Sequence, residues 1–186
     1  GGWGADSLFG QEGADMVSYA HSEWPIAVRL WAGDGWGGHA EGDALSGIEH
    51  AEGSAQDDRL EGDDGGNHLL GLAGDDVLLG RSGDDTLQGG TGRDMLHGQA
   101  GSDVLLGGAG ADVFVFVDGH GQDTIGDFAE DDVIDLRGIS SLNDFDDLSN
   151  GPATDGSDGV WIDHGEGAIL IENMVLANLD LTDFLF

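Results

Sequence analysis

A glycine recurs every nine residues at Gly53, Gly62, Gly71, Gly80, Gly89, Gly98 and Gly107, and the register never slips. Five positions after each stands Asp58, Asn67, Asp76, Asp85, Asp94, Asp103 or Asp112; two further on comes Leu60, Leu69, Leu78, Leu87, Leu96, Leu105 or Phe114. A second glycine column, Gly65, Gly74, Gly83, Gly92, Gly101 and Gly110, fills the fourth position of every unit but the one holding Gln56. Glycine there answers a turn's need for positive φ or close backbone approach. Each unit therefore divides into a turn ending in Asp and a three-residue strand whose middle side chain points inward, since strand side chains alternate. Two units make one coil of 18 residues, and coils stack as parallel strands about 4.8 Å apart. Asp58, Asp76, Asp94 and Asp112 then line one edge, and Asn67, Asp85 and Asp103 the other. The expected fold is all-β: a right-handed parallel β-roll, or β-helix solenoid, with a C-terminal β-rich cap.

Carboxylates stacked at strand spacing repel one another, so the arrangement is tenable only with a cation between neighbouring turns. The whole chain poses the same problem, with 38 acidic residues against 5 basic ones and a formal charge of −33. That charge disfavours nucleic acid and anionic membranes as partners. The ligands on offer are oxygens, from aspartate and from the carbonyls of glycine-rich turns. They suit calcium better than magnesium, which demands a tighter octahedron, and zinc would want imidazole or thiolate. Cysteine is absent, so neither disulfides nor thiolate zinc sites are available. No apolar run approaches the roughly 18 residues of a membrane span.

Segments such as Gly89-Gly90-Thr91-Gly92-Arg93-Asp94-Met95-Leu96-His97 and Gly107-Gly108-Ala109-Gly110-Ala111-Asp112-Val113-Phe114-Val115 resemble the nonapeptide of the haemolysin-type, or repeats-in-toxin (RTX), calcium-binding proteins. The resemblance implies calcium ions between same-edge turns, held by the sixth-position Asp and by turn carbonyls, with Gly74, Gly83, Gly92, Gly101 and Gly110 in those turns. About five or six ions are then expected over residues 53–123. Asn67 lacks the charge and should begin its edge with a weaker site. The resemblance further implies Asp123 and Asp132 as the final ligands, and it brings in Asp6 and Asp15 from two more units, Gly1 to Phe9 and Gly10 to Ser18.

Three regions are expected: degenerate repeats with a strand insertion over 1–52, the calcium-binding roll over 53–123, and a capping region with a secretion signal over 124–186. The insertion holds strands at Met16 to Ala20 and Ile26 to Trp31, and Gly42 to Glu49 leads back into register. Beyond Phe114, strands are expected at Val113 to Val117, Asp123 to Phe128 and Asp132 to Leu136, then a short helix at Ser141 to Leu148 and a hairpin turning at His164-Gly165-Glu166-Gly167. Thr182 to Phe186 resembles the acidic and apolar ending read by type I secretion systems. A stacked array needs such a cap over its last coil.

Without calcium, glycine entropy and charge repulsion should leave the repeats disordered, so that ion binding and folding become one event. Such a chain stays exportable in a calcium-poor cytosol and folds outside, where calcium is about millimolar. It reads as a non-catalytic module of a larger secreted protein, with calcium, the type I secretion apparatus and the upstream domain as partners. No catalytic signature appears. The fifth-position Asp57, Asp75 and Asp84 read as outer-face charges, and the seven histidines as structural or surface residues. Trp24, Trp31 and Trp36 are expected to pack over the first coils; the alternative is a polysaccharide-stacking platform in an accessory module of a carbohydrate-active enzyme.

Overall fold

A computed structural model describes residues 2–149 and 153–186; Gly1, which opens the first unit, lies outside them. The six repeats after Gln56 form β7 (Arg59–Glu61), β8 (His68–Ala73), β9 (Val77–Ser82), β10 (Thr86–Thr91), β11 (Met95–Ala100) and β12 (Val104–Ala109), counted along the chain from the six strands that precede them. Each pairs in parallel with the strand two units away. Leu69 lies opposite Leu87 and Leu87 opposite Leu105 in one sheet; Leu60, Leu78 and Leu96 align in the other. The 18-residue coil inferred from the glycine period is thus the pitch of the fold.

β8 to β12 run six residues rather than the expected three, continuing through the first three residues of the next unit. A left-handed residue after the corner glycine lets the main chain stay in the ladder while it turns. At the second position of successive units Leu72, Arg81, Gly90, Gln99 and Gly108 all have left-handed φ, of 85°, 89°, 116°, 73° and 97°. A side chain there is strained, and a Cβ on Gly108 would collide with the Gly90 carbonyl one coil below.

The core between the sheets is one side chain wide. Leu60, Leu78, Leu96, Phe114 and Ile134 face Leu69, Leu87, Leu105 and Ile125, all of them fully buried. After β13 (Val113–Val117), β14 (Gln122–Ile125) and β15 (Val133–Gly138) continue the two ladders, with Ile125 opposite Leu105 and Ile134 opposite Phe114. Asp127 ends a coil by accepting the Gly107 and Gly108 N–H groups, each at 2.9 Å.

The helix α1 (Phe145–Ser149) starts later than expected. β16 (Ala153–Asp155), β17 (Gly159–Asp163) and β18 (Ala168–Glu172) form an antiparallel meander whose β18 joins β14 in parallel, so the expected hairpin covers the end of one sheet. β19 (Phe184–Leu185) covers the other by pairing with β15.

At the opposite end lie β1 (Ser7–Phe9) and β2 (Met16–Ser18), followed by an insertion with β3 (Ala27–Arg29) and β4 (Asp34–Trp36), then β5 (Ala44–Ser46) and β6 (His50–Glu52). β3 and β4 make an antiparallel hairpin inside the otherwise parallel sheet, β3 joining β7. The tryptophans do not bury over the first coils: Trp24, Trp31 and Trp36 are 60%, 47% and 39% exposed. Instead the Arg29 guanidinium lies 4.5 Å from the Trp36 ring centre and 5.2 Å from that of Trp31, and Arg81 lies 4.9 Å from Trp31. These cation–π contacts tie the insertion to β9.

Three substitutions test the corner and the core in saturating calcium. Gln99→Gly, which removes a strained Cβ, should raise Tm by the equivalent of about 0.5 kcal/mol, whereas Gly90→Ala should lower it. Leu87→Ala, which empties a slot in a core one residue wide, should cost about 2–4 kcal/mol by denaturant titration.

Candidate metal centre

One hydrogen bond, repeated along each edge, positions the aspartates. The N–H of a sixth-position residue donates to Oδ1 of the sixth-position aspartate in the following coil. On one edge the chain of bonds runs from Asp58 to Asp76 (2.7 Å), Asp76 to Asp94 (2.8 Å), Asp94 to Asp112 (2.9 Å) and Asp112 to Asp132 (2.9 Å). On the other it runs from Asn67 to Asp85 (2.7 Å), Asp85 to Asp103 (2.8 Å) and Asp103 to Asp123 (3.0 Å). The structure thus brings the predicted residues into two columns, with Asp132 and Asp123 continuing them after steps of 20 residues.

The second oxygen divides these residues into two groups. Oδ2 of Asp76, Asp85, Asp94, Asp103 and Asp112 is buried with no hydrogen-bond donor, as is Oδ2 of Asp15. A buried carboxylate oxygen without a donor or cation is strongly disfavoured. Burial first, with neighbouring carboxylates adding to it, pushes the acids upward against the pull of the backbone N–H bond. Asp76 and Asp85 reach about 7, Asp94 and Asp103 about 6, and Asp112 moves in the same direction.

At the column ends, by contrast, protein groups occupy the second position. Asp58 accepts Ser54 N–H (2.5 Å) at Oδ2 and Ile26 N–H (2.8 Å) at Oδ1. Asp132 Oδ2 accepts Ala129 N–H (2.8 Å), and Asp123 Oδ2 lies 2.5 Å from His120 Nδ1. Asn67 Oδ1 accepts Asp63 N–H (2.6 Å), while Nδ2 donates to the Glu49 carbonyl (2.8 Å) and to Asp63 Oδ1 (3.1 Å). An amide N–H pair there bridges the oxygens of adjacent turns.

The glycines explain why the carboxylates can lie so close to the chain. A Cβ on Gly53 would stand 2.6 Å from Asp58 Oδ2, and on Gly107 2.5 Å from Asp112 Oδ2. Gly74, Gly83, Gly92, Gly101 and Gly110 have φ between 99° and 148°. A Cβ on Gly92, Gly101 or Gly110 would strike the carbonyl oxygen of the glycine one coil earlier, so these carbonyls lie between successive turns. Gly65 has no positive φ, unlike its column mates.

Among the described residues, no three His, Cys, Asp or Glu side chains converge as a metal-binding group. Any ion in a column would therefore take most of its ligands from the main chain. All-oxygen donors, buried open carboxylate oxygens and stacked glycine carbonyls together fit a hard cation such as calcium.

Two column members escaped the sequence reading because the period breaks before them. Asp43 Oδ1 accepts Asp6 N–H (2.8 Å), and Glu49 Oε2 accepts Asp15 N–H (2.9 Å). The signal was the Asp43-Ala44-Leu45 triplet, which repeats the Asp-x-Leu of the units. Tyr19 O–H donates to Asp43 Oδ2 (2.8 Å) and closes that position. The fifth-position acids form an exposed second ladder: Asp57, Asp75 and Asp84 accept the N–H groups of Asp75, Arg93 and Ser102, each at 2.8 Å.

Fold and columns together define a parallel β-roll of stacked, carboxylate-lined turns. The RTX calcium-binding nonapeptide repeat profile, in four copies, matches residues 1–17, 43–78 and 79–114, and the chain belongs to that family of calcium-binding repeats. Extracellular lipase LipA from Serratia marcescens aligns at 17% identity over 98% of this chain and 34% of its own, with a TM-score of 0.44. A subunit of the mannuronan C5-epimerase from Azotobacter vinelandii aligns at 30% identity over 70% of this chain and 78% of its own, with a TM-score of 0.35. This chain spans about a third of the lipase. A comparison with curated proteins found no match.

Asn67→Asp replaces the bridging amide with a carboxylate and should add one calcium ion per chain, measured by calorimetry or metal analysis. Acid should act in opposite senses with and without metal. The metal-free fold holds protons on Asp76 and Asp85 up to about pH 7, and on Asp94 and Asp103 up to about pH 6, against 3.8 for an ordinary aspartate. These groups favour the fold at low pH, and that contribution is lost as pH rises through 6 to 7. Circular dichroism in chelator should therefore show β structure gained on acidification from pH 7 towards 4. In calcium, protons compete for the same oxygens, so the midpoint calcium concentration should rise over that range.

Proposed function

We propose that this chain is a calcium-triggered folding module of an exported protein, and that Asp76, Asp85, Asp94, Asp103 and Asp112 each anchor one ion. The single observation that carries this reading is the run of five buried Oδ2 atoms without donors. Carbonyls of the turns at Gly74, Gly83, Gly92, Gly101 and Gly110 complete the candidate shells. Asp15, whose Oδ2 is also buried without a donor, offers a sixth position, and Asp6 lies on the opposite edge of the same first coil. Asp58, Asn67, Asp123 and Asp132 lie in turns already closed by protein donors and anchor no ion of their own. The total falls at five or six ions, and residues 53–123 form the ion-binding roll between the N-terminal repeats and a capping, secretion-signal region.

Bound calcium supplies positive charge between the turns. The chain's own residues do the rest: aspartate N–H bonds hold each carboxylate in place, glycines let it lie against the main chain, and the leucine stack excludes water. Free energy of ion binding appears as free energy of folding. A calcium-poor cytosol keeps the chain unfolded and fit for a type I export channel, and the extracellular medium folds it. In this reading the module is non-catalytic and stabilises the larger secreted protein that carries it. The polysaccharide alternative has less support, because Trp31 and Trp36 already engage Arg29 and Arg81.

Calcium titration of the chelator-treated chain, followed by circular dichroism, tests the reading. A cooperative rise in β signal at submillimolar to millimolar calcium is expected, and replacing Asp94 and Asp103 by Asn should shift the midpoint at least severalfold upward. A fully β-rich spectrum in excess chelator at pH 7.5 would sink it.

A further inference from the structure

The two ends of the roll are unequal. At one end β18 and β19 each continue a ladder and bring the cap with them. At the other, β1 and β2 are the outermost strands of their sheets, β1 paired to β5 and β2 to β6, and among the described residues no strand lies beyond either.

This end keeps the form of an interior coil whose predecessor is missing. In the interior, the N–H of a seventh-position residue donates to the sixth-position carbonyl one coil earlier, as Val77 does to Asp58 (2.9 Å) and Thr86 to Asn67 (2.8 Å). Ser7 and Met16 hold that place in the first coil, where no earlier carbonyl faces their N–H groups. The carboxylates behave alike. Asp6 and Asp15 donate their N–H groups to Asp43 and Glu49, yet among the described residues neither of their own carboxylates accepts a hydrogen bond, and Asp15 Oδ2 is buried. Gly4 and Gly13 have the left-handed φ of their column mates, 103° and 127°. A Cβ on Gly92 or Gly101 would strike the carbonyl of the previous coil, whereas one on Gly4 would meet open space and one on Gly13 only Asp15. Leu8 stands where later coils have fully buried leucines, and it is only half-buried. An open cavity of about 270 Å³ joins the two edge strands, lined by Leu8, Asp15, Val17 and Ile48 among others.

We propose that this end is a docking surface for one further coil of the same nonapeptide repeat, supplied by the larger protein that carries the chain and stacked in parallel on β1 and β2, an assignment that rests on reading the chain as a calcium-folded module of such a protein. The interface is the one already repeated between the coils of the roll, so each open group has a counterpart. Sixth-position N–H groups of the added coil reach Asp6 and Asp15, its sixth-position carbonyls take the Ser7 and Met16 N–H groups, and its inward leucines fill the cavity over Leu8 and Val17. A second copy of this chain does not fit. Its far end is capped, and two open ends brought face to face would set Asp6 and Asp15 against like charges with no donor between them.

Amide hydrogen exchange in saturating calcium provides the test. In the unmodified chain the Ser7 and Met16 amides should exchange freely while that of Val104, in mid-roll, is protected. A copy of Gly89 to Leu106, two units long, fused directly before Gly1 should slow Ser7 and Met16 by about tenfold or more, whereas an extension of the same composition in scrambled order should not. Equal exchange in the two fusions overturns the proposal. So does protection of Ser7 and Met16 in the unmodified chain, which means that a second copy already covers the end. Should the fusion fail to fold, the same two units are added as a free peptide to the unmodified chain: the Ser7 and Met16 NMR resonances must move first, and no response, or a first response elsewhere, overturns the site. Failure of the calcium reading is visible separately, as protection of Val104 that persists in excess chelator.

Discussion

The fold rests on the bond between a main-chain N–H and one oxygen of an aspartate a coil away. It determines the spacing of the turns and brings carboxylates into vertical files, and it consumes only half of each carboxylate. The sixth-position residues of five successive units, Asp76, Asp85, Asp94, Asp103 and Asp112, are left with a second oxygen that is buried and unanswered. Everything else in the roll accommodates that demand. First-position glycines yield their side-chain space to the carboxylate, fourth-position glycines bring carbonyls between the turns, and a single inward leucine per strand holds the two sheets together. With so thin a core, apolar burial alone is a poor opponent for the conformational entropy of so many glycines.

The ends of the files are built differently from the middle. Ser54, His120 and the Ala129 N–H each satisfy a carboxylate that would otherwise need an ion, and the Asn67 amide brings its own donors to the Glu49 carbonyl and Asp63 Oδ1. These turns can close through ordinary hydrogen bonds. The ion-demanding stretch is thereby bracketed by turns with no such demand, which confines the effect of the metal to the centre of the roll.

Much of this was legible in the sequence because the nonapeptide period is itself structural: the glycine, aspartate and leucine columns become a corner, a file and a core. The coil pitch and the two edges follow from it, while the C-terminal hairpin was legible from its own turn, His164-Gly165-Glu166-Gly167. Strand length was not legible, since positions one to three, lying between two glycines, read as turn although their main chain stays in the ladder. The roles of Asp43 and Glu49 were hidden by the insertion, which displaces them 37 and 34 residues from the Asp6 and Asp15 they contact. Trp31 and Trp36, expected to pack over the first coils, instead sandwich Arg29 at the surface, a pairing that depends on which strands the β3–β4 hairpin lands beside. Nor does spacing along the chain reveal a contact between His120 and His164, 44 residues apart.

The near-identity of the central repeats carries a hazard of its own. When every strand presents the same glycine, aspartate and leucine, sliding one sheet by a full coil exchanges each contact for an equivalent one, and the energy scarcely distinguishes the two alignments. The irregularities lift this degeneracy. The β3–β4 hairpin, the lone amide at Asn67 and the lengthened steps from Asp103 to Asp123 and from Asp112 to Asp132 occur once each, so only one alignment satisfies them all. Departures from the repeat thus act as the frame that tells otherwise interchangeable coils where they belong.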